Sequence, residues 1–186
     1  MALFYLIRHG RPDYSGMLGH RFEGFGRDFA PLSDEGIRQV LETSLDKRLR
    51  GADIIVSSPY TRALQTAQII SKNTGIDVAV EVDLHEWIPD LTNRYETSEE
   101  SFALAEKFLK YRGVYPEGQQ MRWESLEAMR RRMRRVADKY ARLDKVILIG
   151  HGMAFRTLTY IEEMKPAEIV ECRYEIGQPN CVYSFY

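Results

Sequence analysis

Apolar positions in this chain cluster into short runs, each cut off by a polar or glycine break. Residues 3–7 form a continuous apolar run that ends at Arg8, His9 and Gly10, as expected of a strand buried on both faces. Similar short runs at 53–57, 78–82 and 146–149 predict three more strands. The intervening segments read differently. Ser33 followed by Asp34 and Glu35 predicts the cap and first turn of a helix closed by Gly51. Ser58 and Pro59 read as the cap and first position of a second helix, with Ala63, Leu64, Ala67 and Ile70 on one face and Gly75 at its end. Thr97 and Glu100 fit a capping box before a helix running to Gly113. A long charged helix is predicted over 123–143, another begins at Gly152, one more spans 166–172, and 181–186 reads as a final strand. Residues 11–31, punctuated by Gly16, Gly19, Gly24 and Gly26, read as a loop.

Strands alternating with helices predict an α/β fold, a three-layer α/β/α sandwich around a mainly parallel sheet. The chain has 186 residues with no linker or tandem repeat, so residues 1–186 are expected to form one domain, with 90–122 as a small helical cap. One local echo stands out. The run from Phe4 to Gly10 resembles that from Val146 to Gly152, each an apolar strand followed by His-Gly.

Open parallel sheets bind ligands beyond the carboxyl ends of their strands. Arg8 and His9 fall at the first such end, Arg62 just after the second, Glu86 past the third and His151 past the fourth. The residue types are complementary. Arginines fork onto phosphoryl oxygens, a helix N-terminus adds backbone donors, histidines supply a nucleophile and a donor, and a carboxyl can protonate a leaving oxygen. Phosphoryl transfer asks for little beyond such positioning and charge neutralisation. Two histidines and a glutamate could ligate zinc, but the guanidinium of Arg8 would repel the cation, so no metal is expected.

Composition narrows the classes further. Net charge is −1, which gives no global field for nucleic acid. No stretch approaches the ~20 apolar residues of a membrane helix. The apolar start stops too early for a signal peptide, so a cytoplasmic protein without membrane or nucleic-acid partners is expected. Cys172 and Cys181 have no zinc-type spacing and read as free, mostly buried thiols.

The ordered motifs resemble those of the histidine phosphatase superfamily, the phosphoglycerate mutase-like proteins. Leu6-Ile7-Arg8-His9-Gly10 looks like its signature, and Leu32-Ser33 with Gly36 resembles its first helix start. The stretch from Ser57 through Arg62 to Ala67 is similar to its second motif, Gly150-His151-Gly152 to its last histidine motif, and Asn180-Cys181 to the lead into its final strand. The resemblance spans residues 3–182 and implies a phosphatase acting on a small phosphomonoester through a covalent phosphohistidine, releasing inorganic phosphate and needing no cofactor. His9 would attack phosphorus, Arg8, Arg62 and His151 would hold the equatorial oxygens, and Glu86 would donate a proton to the leaving group and later take one from water. Ser15, Gly152 and Arg21 would add phosphate or substrate contacts. The chain departs from the pattern at Arg11 and Ser15, where the family often has Glu and Asn, which makes the mouth more basic and leaves the substrate open.

Glu81, Asp83 and Asp90 compete with Glu86 for the acid role, and Arg21 and Arg27 lie in a loop able to roof the site. His20 and His85 read as incidental. The arginines between 130 and 135 follow Glu124 and Glu127 at helical spacing and read as a solvated, ion-paired face, with Trp123, Met129, Met133 and Tyr140 as packing residues. Mutase-type phosphoryl transfer is the first alternative, disfavoured by the absence of an added basic segment after Glu86. A non-catalytic phospholigand-binding module is the second.

Overall fold

The echo between the two His-Gly segments is a pairing register. In the computed structural model, which describes residues 1–17, 24–92, 94 and 97–185, strand β1 (Ala2–Arg8) lies parallel to β4 (Lys145–Gly150). Phe4 pairs with Val146, Ile7 with Ile149 and Arg8 with Gly150. β2 (Ile54–Ser57) flanks β4 on its other side, and β3 (Val78–Val80) is parallel to β2 at that edge. β5 (Ile169–Tyr174) runs antiparallel along the free side of β1, giving the order β3-β2-β4-β1-β5.

Alternating side chains of the central strands leave the sheet in opposite directions. Phe4, Leu6, Val146 and Leu148 enter one apolar cluster, and Tyr5, Ile7, Ile147 and Ile149 enter the other. Helices α1 (Asp34–Thr43) and α2 (Thr61–Thr74) cover the second face through Val40, Ala63, Ala67 and Ile70. On the first face lie α3 (Ser98–Lys110), α4 (Leu126–Tyr140) and the single turn α5 (Gly152–Phe155), through Phe108, Met129, Met133, Val136 and Phe155. The result is the expected α/β/α sandwich with a mainly parallel sheet. Among the described residues no helix is long and apolar enough to cross a membrane.

Local chemistry sets several boundaries as anticipated. The Ser33 side chain accepts from Gly36 N–H, and Thr97 and Glu100 form a reciprocal capping box. Gly10 and Gly36 allow α1 to touch the loop after β1: a Cβ on Gly36 would lie 2.2 Å from the Arg11 carbonyl oxygen, and one on Gly10 would lie 2.6 Å from that of Gly36.

Elsewhere tertiary contacts override the pattern. Helix α1 ends at Thr43 and a short 3-10 turn, Lys47–Leu49, precedes Gly51. Helix α2 begins after Tyr60, so Ser58 is not its cap. Residues 166–172 are not helical. Ala167 takes a positive φ of 59°, its N–H donates to the Arg8 carbonyl, and the chain then pairs along the open edge of β1, where Ile169 and Val170 suit a strand. Residues 181–185 form no strand. Their alternation packs Tyr183 against Phe108 on the helical side, while Val182 faces outward.

The arginine run is also corrected. Arg132 is buried, and its guanidinium makes a bidentate pair with buried Glu124 at 2.7 and 2.9 Å. Its other donors reach the carbonyls of Asp83, His85 and Glu86. Arg130 and Arg134 donate to carbonyls of the C-terminal segment, at Cys181 and Gln178. Instead of a solvated face, these side chains tie α4 to the loop after β3 and to the tail.

Candidate active site

Adjacent strand ends bring the two histidines together. His9 N–H donates to the Gly150 carbonyl at 3.0 Å, continuing the β1–β4 ladder one step, and the imidazole centroids of His9 and His151 are 5.1 Å apart. Both rings are buried, at 6% and 0% exposure. Burial, reinforced by the charge of Arg62, pushes the His9 imidazole down to about 3. The same causes, in the same order, hold His151 well below the usual histidine range. Both rings are therefore neutral near pH 7.

The tautomer of His9 follows from its partners. Nδ1 lies 2.7 Å from the Gly10 carbonyl oxygen, which can only accept, so Nδ1 carries the proton. The lone pair is left on Nε2, and Arg62 Nε donates to it at 3.1 Å. Arg62 is itself buried in the first turn of α2, a poor place for a cation in dipole terms and a good one for a cation that meets an anion. Arg8 donates to the Met164 carbonyl through Nη1, and its buried Nε has no partner among the described residues. His151 Nε2 lies 2.8 Å from Ser58 Oγ, and its buried Nδ1 has no partner either. Two guanidiniums and two neutral imidazoles thus converge, with polar atoms left over for a ligand.

Glu86 reaches the same place from the third strand. Its Oε1 accepts the N–H of Trp87 and of Ala154, both at 2.9 Å, and Oε2 accepts that of Met153 at 3.2 Å. The competing carboxylates are engaged elsewhere: Asp83 with Arg135, Glu81 with Lys139 and Tyr140, and Asp90 with Arg122 and Thr92.

A cavity of about 500 Å³ opens over this group. Arg8, His9, Arg62 and Glu86 form its floor and sides, and Trp87, Ile88, Pro89, Phe102 and Met153 supply an apolar wall. Arg27 joins it, its guanidinium lying over the rings of Tyr14 and Phe102. Other expected contacts stand apart. Ser15 is exposed and does not line the cavity, and Gly152 packs beside Arg8 without lining it. Arg21 and His20 lie outside the described residues. His85 stacks loosely on Tyr60 behind the cavity. Sequence reasoning missed Tyr14, Tyr60 and Asp28, all on the cavity wall. Asp28 follows Arg27 in a glycine-rich stretch whose only legible signal was its position ahead of the first helix.

A buried, neutral histidine flanked by guanidiniums at the carboxyl edge of a mainly parallel sheet is an arrangement able to take a phosphoryl group. Comparisons with known proteins give the family. The chain matches the model of the histidine phosphatase superfamily (branch 1) over residues 4–184, and it belongs to that family. A Bacillus subtilis (strain 168) protein named "Uncharacterized phosphatase PhoE" is 31% identical over 163 residues, covering 85% of this chain and 76% of the relative. A Yersinia pestis (strain Pestoides F) protein named "Probable phosphoglycerate mutase GpmB" is 31% identical over 166 residues, covering 85% and 73%. Among solved structures, Bacillus stearothermophilus YhfR superposes with a TM-score of 0.71 at 19% identity, covering 95% of this chain and 93% of that one, a likeness of fold.

Proposed function

We propose that the protein is a metal-independent phosphatase that hydrolyses small phosphomonoesters through a phosphohistidine at His9. The observation that carries this reading is the polarity of the His9 ring, with Nδ1 tied to the Gly10 carbonyl and Nε2 left as a neutral nucleophile among cationic donors. In the first step Nε2 bonds to phosphorus and the ester P–O bond breaks. Arg8, Arg62 and His151 stabilise the charge that spreads over the phosphoryl oxygens. The family resemblance assigns the carboxyl chemistry of the two steps to Glu86, which lines the cavity. In the second step water attacks phosphorus, the P–N bond breaks and inorganic phosphate leaves.

The name of the Yersinia relative raises mutase activity as a second reading. Among the described lining residues away from the His9 floor, Arg27 is the one cation able to hold the carboxylate of a sugar acid for a return transfer, and the apolar wall of Trp87, Ile88, Pro89 and Phe102 beside it favours hydrolysis. Turnover of p-nitrophenyl phosphate in EDTA tests the main reading. Wild type is expected to turn over and to form an acid-labile phosphoenzyme, and His9→Ala to do neither. A phosphoenzyme in that variant would sink the nucleophile assignment, and exchange of phosphate between glycerate positions would favour the mutase.

A further inference from the structure

The cavity holds a second carboxyl that neither motif nor spacing nominated. Asp28 sits on its wall in the short 3-10 stretch Gly24–Phe29, partly buried. Among the described residues, the charged and titratable groups acting on it are Arg27 on its own turn, Tyr60, Arg62 of α2, and Glu86. The turn is fastened to the nucleophile's neighbour, since Arg62 Nη1 donates to the Arg27 carbonyl at 3.3 Å while Nε contacts His9. In-line attack by His9 drives the leaving oxygen away from the imidazole, toward the cavity space that Asp28 and Glu86 border.

The two carboxyls are prepared differently. Glu86 is an acceptor: among the described residues Oε1 takes two backbone N–H groups and Oε2 takes one, which leaves a lone pair of Oε2 toward the cavity. Among the described residues Asp28 has no such set of backbone donors. Burial pushes its carboxyl up to about 6 against the opposing pull of Arg62, and the charge of Glu86 adds to the rise. Two carboxyls whose surroundings differ while they face one reaction space are the arrangement that separates an acid from a base.

We propose that Asp28 and Glu86 form a catalytic carboxyl pair holding one proton between them, Asp28 giving it to the leaving oxygen and Glu86 taking one from the water that opens the phosphohistidine. The proposal rests on the phosphatase reading and divides a role that the family resemblance assigns to one residue. When the P–O bond breaks, its electron pair goes to the leaving oxygen and the Asp28 proton follows. When water bonds to phosphorus, the P–N pair returns to Nε2 and the water proton goes to Oε2 of Glu86. Proton exchange from Glu86 to Asp28 then resets the pair.

Rapid-quench measurement of phosphoenzyme from p-nitrophenyl phosphate and from phenyl phosphate tests this division. Asp28→Asn should slow formation from phenyl phosphate, the poorer leaving group, by about 10²-fold or more, and change formation from p-nitrophenyl phosphate little. A circular-dichroism spectrum and a melting temperature matching wild type show that Asp28→Asn folds, and Asp28→Glu should recover part of the phenyl phosphate rate. Glu86→Gln should slow breakdown equally whichever ester was used, so that the phosphoenzyme accumulates. In wild type, formation from phenyl phosphate should fall as pH rises past about 6, a limb that Asp28→Asn removes. Equal slowing of both esters by Asp28→Asn, no slowing, or leaving-group-selective slowing by Glu86→Gln would overturn the pair while leaving His9 catalysis intact. A wild type that forms no phosphoenzyme would overturn the parent reading and the pair together.

Discussion

Arg62 Nε donates to Nε2 of His9, the nitrogen proposed to attack phosphorus, across 3.1 Å. The guanidinium therefore occupies the nucleophile's lone pair until an anion draws it off. Phosphate or vanadate should move this donor from the imidazole to an equatorial oxygen. In ¹⁵N NMR the Nε2 resonance of His9 should shift as that hydrogen bond is lost, and Arg62→Ala should lower kcat by about 10²–10³-fold, as removal of a charge-stabilising donor does. An unmoved Nε2 signal at saturating phosphate would contradict the exchange.

Ser58 is fully buried and its hydroxyl is the partner of His151 Nε2. Ser58→Ala leaves that nitrogen buried and unpaired, at a cost of about 1–3 kcal/mol in stability. Because the ring also loses its anchor, kcat should fall more than KM rises. Thermal melts and steady-state kinetics on the one variant check both effects.

Arg132 and Glu124 form a buried pair whose cation also holds three carbonyls of the loop bearing Glu86. Arg132→Met alone strands a buried carboxylate and should cost about 3–5 kcal/mol, whereas the double change with Glu124→Leu should recover much of that. If the loop is positioned through Arg132, the double variant will regain stability in urea melts and still turn over poorly.

His9 and His151 are neutral in the fold, with pKa values lowered by burial first and by Arg62 next. The unfolded chain protonates both below about 6.5 while the native state does not, so stability is full above that pH and is lost as pH falls toward the native value of His9, about 3. Each ring contributes up to about 1.4 kcal/mol per pH unit to the slope. Urea midpoints should fall steadily from pH 6.5 to 4, and His9→Gln should flatten that dependence.

The sheet and the central cluster were legible because strand-end residues obey one simple rule. Arg8, His9 and His151 follow apolar runs directly, and β1 and β4 pair in the register of their shared pattern. What stayed hidden depends on neighbours distant in sequence. Residues 169–174 carry no helix-breaking signal of their own and become a strand because β1 has an open edge. Arg132 looks like its exposed neighbours until the loop after β3 closes over it and supplies three carbonyls beside its pair with Glu124. Asp28 sits in a stretch without periodicity, so its place beside Tyr60 and Arg62 could not be read from spacing.

Because His9 extends the β1–β4 ladder by one rung, the gap between the two imidazoles is set by the spacing of a hydrogen-bonded strand pair, about 4.8 Å. On the proposed mechanism, the backbone itself is the gauge that matches the attacking ring and its companion to a tetrahedral anion. Loops around the rim could then be exchanged to admit different alcohols without resetting the distance at which phosphorus would be gripped.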